Sequence, residues 1–324
     1  MIENLNLNFF IYSISTLLFL IFFKYSELIG NKTGLIDKNK VPVLGGIYLF
    51  IGFILNYIVS FNELVGYDLV VDVYFISAVF LIALLDDKLD LNAYLRIILL
   101  SIIIIFFVYK NDLFIYSINS KYFGFFYFPN NIIIKFLFPT FCIIVLLNAF
   151  NFTDGINCLA SLIGISWLFY LIIKMPIIYE VYLVFLLFII SFLILNYSNK
   201  SYLGDSGNYI ISTLVGALIL NLNSKYPFIF FIEEIFLLLL VPGLDLIRLF
   251  YVRIKNGNSP LKGDLNHLHH ILINKFSLKK TLFIYMLMIN VPIYSYYLFS
   301  NLLLYIIIIK IIVYMLIIRN FAKN

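Results

Sequence analysis

Charge is scarce in this chain. Asp, Glu, Lys and Arg make up 12% of its 324 residues, while 63% are apolar. Soluble domains are about a quarter charged and roughly half apolar, so a surface of this composition could not stay dissolved, and a soluble globular enzyme is excluded. A disordered chain is excluded by the same figures, because disorder goes with low hydrophobicity and high charge. Cysteine is scarcer still. Cys142 and Cys158 lie in or beside apolar runs and form no Cys-x-x-Cys pair. That excludes a disulfide framework, and each reads as a small buried hydrophobe. No internal repeat or low-complexity linker divides the sequence, so residues 1–324 read as a single multi-span domain.

What the chain does have is apolar runs. At roughly 20 residues per spanning helix there is room for about ten or eleven. Polar interruptions place them near 5–23, 43–61, 69–85, 94–109, 132–150, 158–173, 181–196, 209–221, 228–250, 282–299 and 301–318. The expected fold is all-α, a polytopic integral membrane protein of about 10–11 transmembrane helices. The first run is preceded by Glu3 and by no Lys or Arg, so it is expected to stay as a span rather than be cleaved as a signal. With loop 24–42 in the cytoplasm and sides alternating from there, fifteen Lys and Arg fall on the cytoplasmic side and four on the other. Cytoplasmic loops carry the excess of Lys and Arg. The expected setting is therefore the cell's inner, plasma membrane, with the N-terminus outside and the C-terminus inside. Eight of the eleven Asp share that cytoplasmic side. A general preference of carboxylates for loops does not explain the asymmetry, so a functional cluster is expected on that face.

Four polar clusters stand out. Asp86-Asp87-Lys88-Leu89-Asp90 closes an apolar run. Adjacent carboxylates there repel each other and oppose the helix dipole, a cost that a cation or proton relieves. If the segment stays helical, Asp86 and Asp90 share a face, and Mg²⁺ takes oxygen ligands of this kind; a solvated loop is the plainer reading. Asn148, Asn151, Asp154 and Asn157 recur every three positions at the end of another run. Such a seam is expensive at membrane depth, which favours a role, although Asn also joins helices; Gly155 is expected to end that helix. Gly204-Asp205-Ser206-Gly207-Asn208 opens a span, where backbone N–H groups point at an anion, or where Asp205 is simply an N-cap. The chain's three histidines, His267, His269 and His270, fall within four positions in a basic loop after Arg253 and Lys255. Without a nearby Cys a zinc site is disfavoured, and oxygens of a diphosphate or sugar suit these residues better. Lys32-Thr33-Gly34-Leu35-Ile36-Asp37 and Pro42-Val43-Leu44-Gly45-Gly46 add a glycine pair suited to close helix packing.

Taken in order, Pro-x-x-Gly-Gly, Asp-Asp-x-x-Asp, Asn-x-x-Asn-x-x-Asp-Gly, Gly-Asp-x-Gly and His-x-His-His resemble the polyprenyl-phosphate N-acetylhexosamine-1-phosphate transferase family, glycosyltransferase family 4, from about Lys32 to His270. The pattern is most similar to its undecaprenyl-phosphate N-acetylglucosamine-1-phosphate branch, with the phospho-N-acetylmuramoyl-pentapeptide transferases second. The resemblance implies a Mg²⁺-dependent reaction, with Mn²⁺ as a substitute. Polyprenyl phosphate attacks the β-phosphorus of a UDP-N-acetylhexosamine, UMP leaves, and a polyprenyl-diphospho-sugar starts an envelope glycan. It also implies a cytoplasmic active site, no nucleic-acid partner, and room for a homodimer. By the same resemblance Asp86, Asp87 and Asp90 are catalytic, and Asp205 and Asn151 hold the metal. Asn148, Asp154, Asn157, Arg253, His267, His269 and His270 bind substrate. Cys158 stands where the family usually has Gly, Asn208 where it usually has Ser, and Leu265 where an Arg often follows the Asp.

Two other classes compete. A secondary transporter would place charges near the bilayer midplane, for which Lys135, Lys310, Glu233 and Glu234 are the candidates. An intramembrane prenyltransferase would need two Asp-rich helical motifs, and only Asp86–Asp90 fits.

Overall fold

A computed structural model describes residues 31–33, 40–62, 71–129, 131–226, 229–260 and 264–321. The helices are α1 Gly45–Asn62, α2 Val73–Leu89, α3 Ala93–Lys110, α4 Ile132–Asn151, α5 Leu159–Lys174, α6 Ile177–Tyr197, α7 Gly204–Lys225, α8 Ile232–Lys255, the short α9 Leu268–Ile273, α10 Leu278–Leu298 and α11 Leu303–Phe321. All but α9 coincide with the apolar runs expected to span. The run at 5–23 and the segment 34–37 lie outside the described residues. Five of the helices are long and apolar enough to cross a membrane, and α1, α5 and α6 contain shorter apolar stretches. The chain is an all-α, multi-pass membrane protein. Two antiparallel ribbons, β1 Asn31–Thr33 with β2 Lys40–Pro42 and β3 Ser117–Ser120 with β4 Gly124–Tyr127, were not foreseen. Each is too short to register as a periodic pattern against the helical runs around it.

Helix α7 is the axis of the bundle. It packs on α1, α2, α4 and α5, and its residues from Ser206 to Leu222 are buried. Protein rather than lipid surrounds it, so it carries Asn208, Ser212, Thr213 and Asn221 inside; Ser212 donates to the Asn208 carbonyl of its own helix at 2.7 Å. Helices α3 and α11 are the opposite case, presenting Ile98, Ile102 and Phe106, and Ile308, Ile309 and Ile312, outward as an apolar face suited to lipid. The Pro42–Gly46 segment is stitched to the lead-in of α7. The Gly45 and Gly46 amides donate to the Tyr202 and Leu203 carbonyls at 3.0 and 3.1 Å, and the Tyr202 amide donates to the Pro42 carbonyl at 3.0 Å. A Cβ on Gly46 would lie 2.0 Å from the Ser206 hydroxyl, so only glycine admits this approach.

The bundle has two chemically distinct ends. At one, Lys110 pairs with Asp72 at 2.6 Å. There Glu233 accepts from the Ser120 hydroxyl and the Lys121 amide, while Glu234 accepts from Lys174, Tyr170 and Tyr296. Of the charges that a transporter would need, the two glutamates are therefore held by partners at an end. Lys135 lies over the Tyr116 ring, and the buried Lys310 donates to the Leu237 carbonyl at 2.7 Å. The other end gathers the loops after α2, α4, α6 and α8.

Pro242 inside α8 removes the amide that would bond the Leu238 carbonyl. The indole Nε1–H of Trp167 on α5 donates to that carbonyl at 3.1 Å. Trp167→Phe is expected to cost about 1–2 kcal/mol in unfolding of the detergent-solubilised protein, the penalty of an unmet buried carbonyl. In a Pro242→Ala background, where the helix supplies its own N–H, the cost is expected to fall by at least half; an equal cost in both backgrounds would contradict the pairing.

Candidate active site

The site begins where α2 stops. Asp86 and Asp87 are neighbours, about 100° apart around the helix, and so meet different partners. Asp87 turns to the start of α7. One of its oxygens accepts from the Asp205 amide at 3.0 Å, and the other from the Ser206 amide at 2.9 Å and the Ser206 hydroxyl at 2.6 Å. Helix α7 has no capping side chain of its own, since Leu203 stands at its N-cap. Asp87 supplies that cap from another helix, at the positive end of the dipole. The anion at these amides is thus the protein's own carboxylate, and not, as the sequence suggested, a site left open for phosphate. The repulsion expected between Asp86 and Asp87 is offset because each has found its own positive partner.

Asp86 is buried. Its Oδ1 accepts from the Leu91 amide at 2.9 Å, and its Oδ2 pairs with Arg96 Nη1 in the first turn of α3. The same nitrogen reaches Asp205 Oδ2 at 3.3 Å, so one guanidinium bridges the two acids. Burial alone would raise the pKa of Asp86, but hydrogen bonds with Asp205 and Arg96 and the Arg96 charge outweigh it and lower it. Asp205 goes the other way. Burial, the hydrogen bond with Asp86 and the charges of Asp87 and Asp86 push it up to about 7, against the pull of Arg96. Three carboxylates facing one cation leave this corner short of positive charge. Asp90 does not share the Asp86 face as expected. The helix ends at Leu89, and Asp90 turns into the left-handed region (φ 53°), exposed, with its amide on the Asp86 carbonyl. Asp tolerates that conformation better than most residues.

Three residues along α7 from Asp205 lies Asn208, fully buried. Its Nδ2 donates to Asn151 Oδ1 at 3.0 Å and to Asp154 Oδ2 at 2.8 Å, tying the end of α4 to the acid-bearing helix. Helix α4 stops at Asn151, earlier than Gly155, because the Phe150 carbonyl takes the Thr153 amide and hydroxyl in a turn. Gly155 serves a different purpose: a Cβ there would lie 1.9 Å from His269 Nε2 and 2.7 Å from His270 Nε2. Asn157 donates to Asn199 Oδ1, while Asn148 donates back to the Ile144 carbonyl of its own helix at 2.8 Å. Cys158 adopts φ 69°, which glycine adopts without strain, and its amide is held by Asn196 Oδ1.

The histidine loop closes the site. The His267 ring lies 5.0 Å from that of Phe152, and Arg253 lies over the same phenyl ring at 5.1 Å. Arg253 is partly committed to structure, donating from Nε to Asp264 at 2.7 Å and from Nη1 to the Pro260 carbonyl at 2.8 Å. Burial, with the neighbouring histidines, lowers the pKa of His269 well below its usual value and that of His270 to about 4. At neutral pH both act as uncharged groups, not as the cations that a basic loop suggested.

Among the described residues, six buried side-chain atoms around this end have no hydrogen-bond partner: Arg96 Nε, Asn208 Oδ1, the Tyr209 hydroxyl, Arg253 Nη2 and both ring nitrogens of His269. Buried polar atoms are normally paired, so these mark where a polar ligand or water would be accepted. No group of three or more His, Cys, Asp or Glu among the described residues is set to hold a metal unaided. Mg²⁺ does not need such a cage; it takes one or two carboxylates and fills the rest with water and phosphate oxygens. The oxygen-rich, cation-poor corner of Asp205, Asp86, Asn151 and Asp154 fits that requirement.

In the sequence Arg96 is one loop charge among fifteen, and Asn208 is the end of the Gly204–Asn208 cluster and a departure from the family's usual Ser. Their signal was position: an Arg ten residues after an acid pair, and an Asn three residues after Asp205.

Asp87→Ala is expected to destabilise the solubilised protein by about 2–3 kcal/mol, because two amides and a hydroxyl lose their acceptor. Asp87→Asn, which keeps one acceptor oxygen, is expected to lose about half as much. An Ala variant as stable as the parent in chemical unfolding would contradict the capping role.

The family described as glycosyl transferase family 4 matches residues 69–223, which hold every site segment from Asp86 to Asn208. Relatives named undecaprenyl-phosphate alpha-N-acetylglucosaminyl 1-phosphate transferase extend beyond it. The protein of Escherichia coli O157:H7 is 22% identical over 285 residues, covering 78% of this chain and 73% of its own length. That of Haemophilus influenzae is 24% identical over 278 residues, covering 76% and 73%. That of Yersinia pestis is 25% identical over 270 residues, covering 75% and 70%. The chain is thus similar to glycosyl transferase family 4 over residues 69–223 and, over about three quarters of its length, to the N-acetylglucosaminyl 1-phosphate transferases of these bacteria.

Proposed function

We propose that the chain transfers an N-acetylhexosamine 1-phosphate from a UDP-sugar to polyprenyl phosphate at the cytoplasmic face of the plasma membrane, releasing UMP. The reading rests above all on the unpartnered buried donors and acceptors gathered beside the acids of α2 and α7. A ligand carrying both phosphate and sugar or base functions would pair them. The fifteen-to-four distribution of Lys and Arg supports a cytoplasmic setting for that end.

Phosphoryl transfer between two anions asks a protein for positioning and neutralisation. Asp205 is the first choice to hold Mg²⁺, with Asn151 second. When bound, the ion neutralises the diphosphate. Arg96 adds a fixed positive charge between Asp86 and Asp205, and its free Nε is a donor for a phosphate oxygen. Asp86, ionised and held by Arg96, is the member of the acid pair left to face the lipid phosphate, since Asp87 is spent on the cap. Asp154 and Asn157 are assigned to the uridine, and His267, His269, His270 and the free Nη2 of Arg253 to the sugar and diphosphate. The names of the relatives favour N-acetylglucosamine as the sugar.

Membranes holding the chain, given polyprenyl phosphate, Mg²⁺ and UDP-N-acetylglucosamine labelled in the uracil, are expected to release UMP. Release should be greater than with UDP-N-acetylmuramoyl-pentapeptide, and Asp205→Asn should abolish it. Release of UDP instead would mean glycosyl transfer and overturn the mechanism.

A further inference from the structure

Asp245 lies in α8, outside every segment that pointed to the site, and is 2% exposed. Its carboxylate gathers donors from three helices and the turn into α9. Oδ1 accepts from Arg248 Nη2 at 2.7 Å and from the Tyr314 hydroxyl of α11 at 2.9 Å. The Leu268 amide, which opens α9, reaches both oxygens at 3.2 Å, and His267 Nδ1 lies 3.2 Å from Oδ2. Arg248 is held in turn, donating from Nε to the Tyr314 oxygen at 2.9 Å and from Nη2 to the Asn266 carbonyl. A carboxylate surrounded by arginine, hydroxyl and amide donors can only accept, so the ring nitrogen facing it carries a hydrogen. The ring cannot easily turn over, because it lies between the Phe152 ring at 5.0 Å and the His269 ring at 5.3 Å.

We propose that Asp245 is a positioning residue for His267. It fixes the proton on Nδ1 and the angle of the ring, and so leaves Nε2 as the nitrogen offered to the bound sugar-diphosphate. The last helix of the chain takes part through Tyr314, although it lies far beyond the segment that matches the family. The role of Nε2 rests on the transferase reading; the placement of the ring does not.

Two measurements separate these. The chain has only three histidines, so the full-length protein labelled with ¹⁵N-imidazole and held in nanodiscs gives a spectrum that His267→Gln assigns. At pH 8, His267 is expected to carry its proton on Nδ1, and Asp245→Asn, whose amide can donate to the ring, is expected to move it to Nε2. A proton on Nε2 in the parent, or no change in the variant, overturns the proposal. In the UMP-release assay, Asp245→Asn is expected to raise the KM for the UDP-sugar about 10- to 100-fold, as loss of an orienting partner does elsewhere, with the KM for the lipid unchanged. The loss should not add to that of His267→Gln; full additivity overturns the proposal. Asp245→Glu keeps a carboxylate and is expected to retain the Nδ1 proton and recover part of the activity. A folded Glu variant as impaired as the Asn variant counts against it. No UMP release by the parent would sink the transferase reading while the spectrum still decides the placement.

Discussion

A buried helix cannot begin without acceptors for its first amides. In this chain the helix at the centre of the bundle begins beside the chemistry, and the acceptor comes from a different helix. Asp87 closes α7 with two amide bonds and one hydroxyl bond. That single contact fixes the end of α2 against the start of α7. Asp86 is thereby delivered to Arg96, and Arg96 to Asp205, so that two sequence segments more than a hundred residues apart form one electrostatic unit. Asn208, on the same helix, then draws in Asn151 and Asp154. Most of the site is thus organised around the first turn of one helix.

The rest of the bundle supports that turn. At the far end, charged groups are satisfied by neighbouring side chains: Glu234 by Lys174 and two tyrosines, Asp72 by Lys110. Among the described residues, six buried donors and acceptors around Asp86, Asn208 and His269 at the site end lack partners. A chain with so little charge cannot leave it idle inside a membrane without cost, and the contrast between the paired end and the unpaired end separates scaffold from chemistry.

Much of this was legible in the sequence. Apolar runs located ten of the described helices, because length and hydropathy dominate where lipid is the solvent. The clusters around Asp86, Asn151, Asp205 and His267 announced themselves as polar breaks in those runs. The division of labour was not legible. Asp86 and Asp87 are identical in chemistry and adjacent in sequence, and only the direction each faces makes one a cap and the other an ion-pair partner. Asn148 looked like a member of a polar seam, yet its side chain returns to its own helix. The histidines read as part of a basic loop, but burial against Gly155 makes two of them neutral. Asp245 and Arg248 lie one turn apart within a span, and nothing local ties them to a histidine about twenty residues later. The two short ribbons were missed because three or four residues give too brief a pattern to read.

The corner of Asp205, Asp86 and Arg96 is proposed as a cation-dependent phosphate site. Electron paramagnetic resonance of Mn²⁺ added to the purified full-length protein with UDP present tests it most directly. The account predicts one Mn²⁺ bound per chain, displaced by Mg²⁺, lost in Asp205→Asn and retained in Asp90→Asn. Equal Mn²⁺ binding by the parent and Asp205→Asn would contradict it.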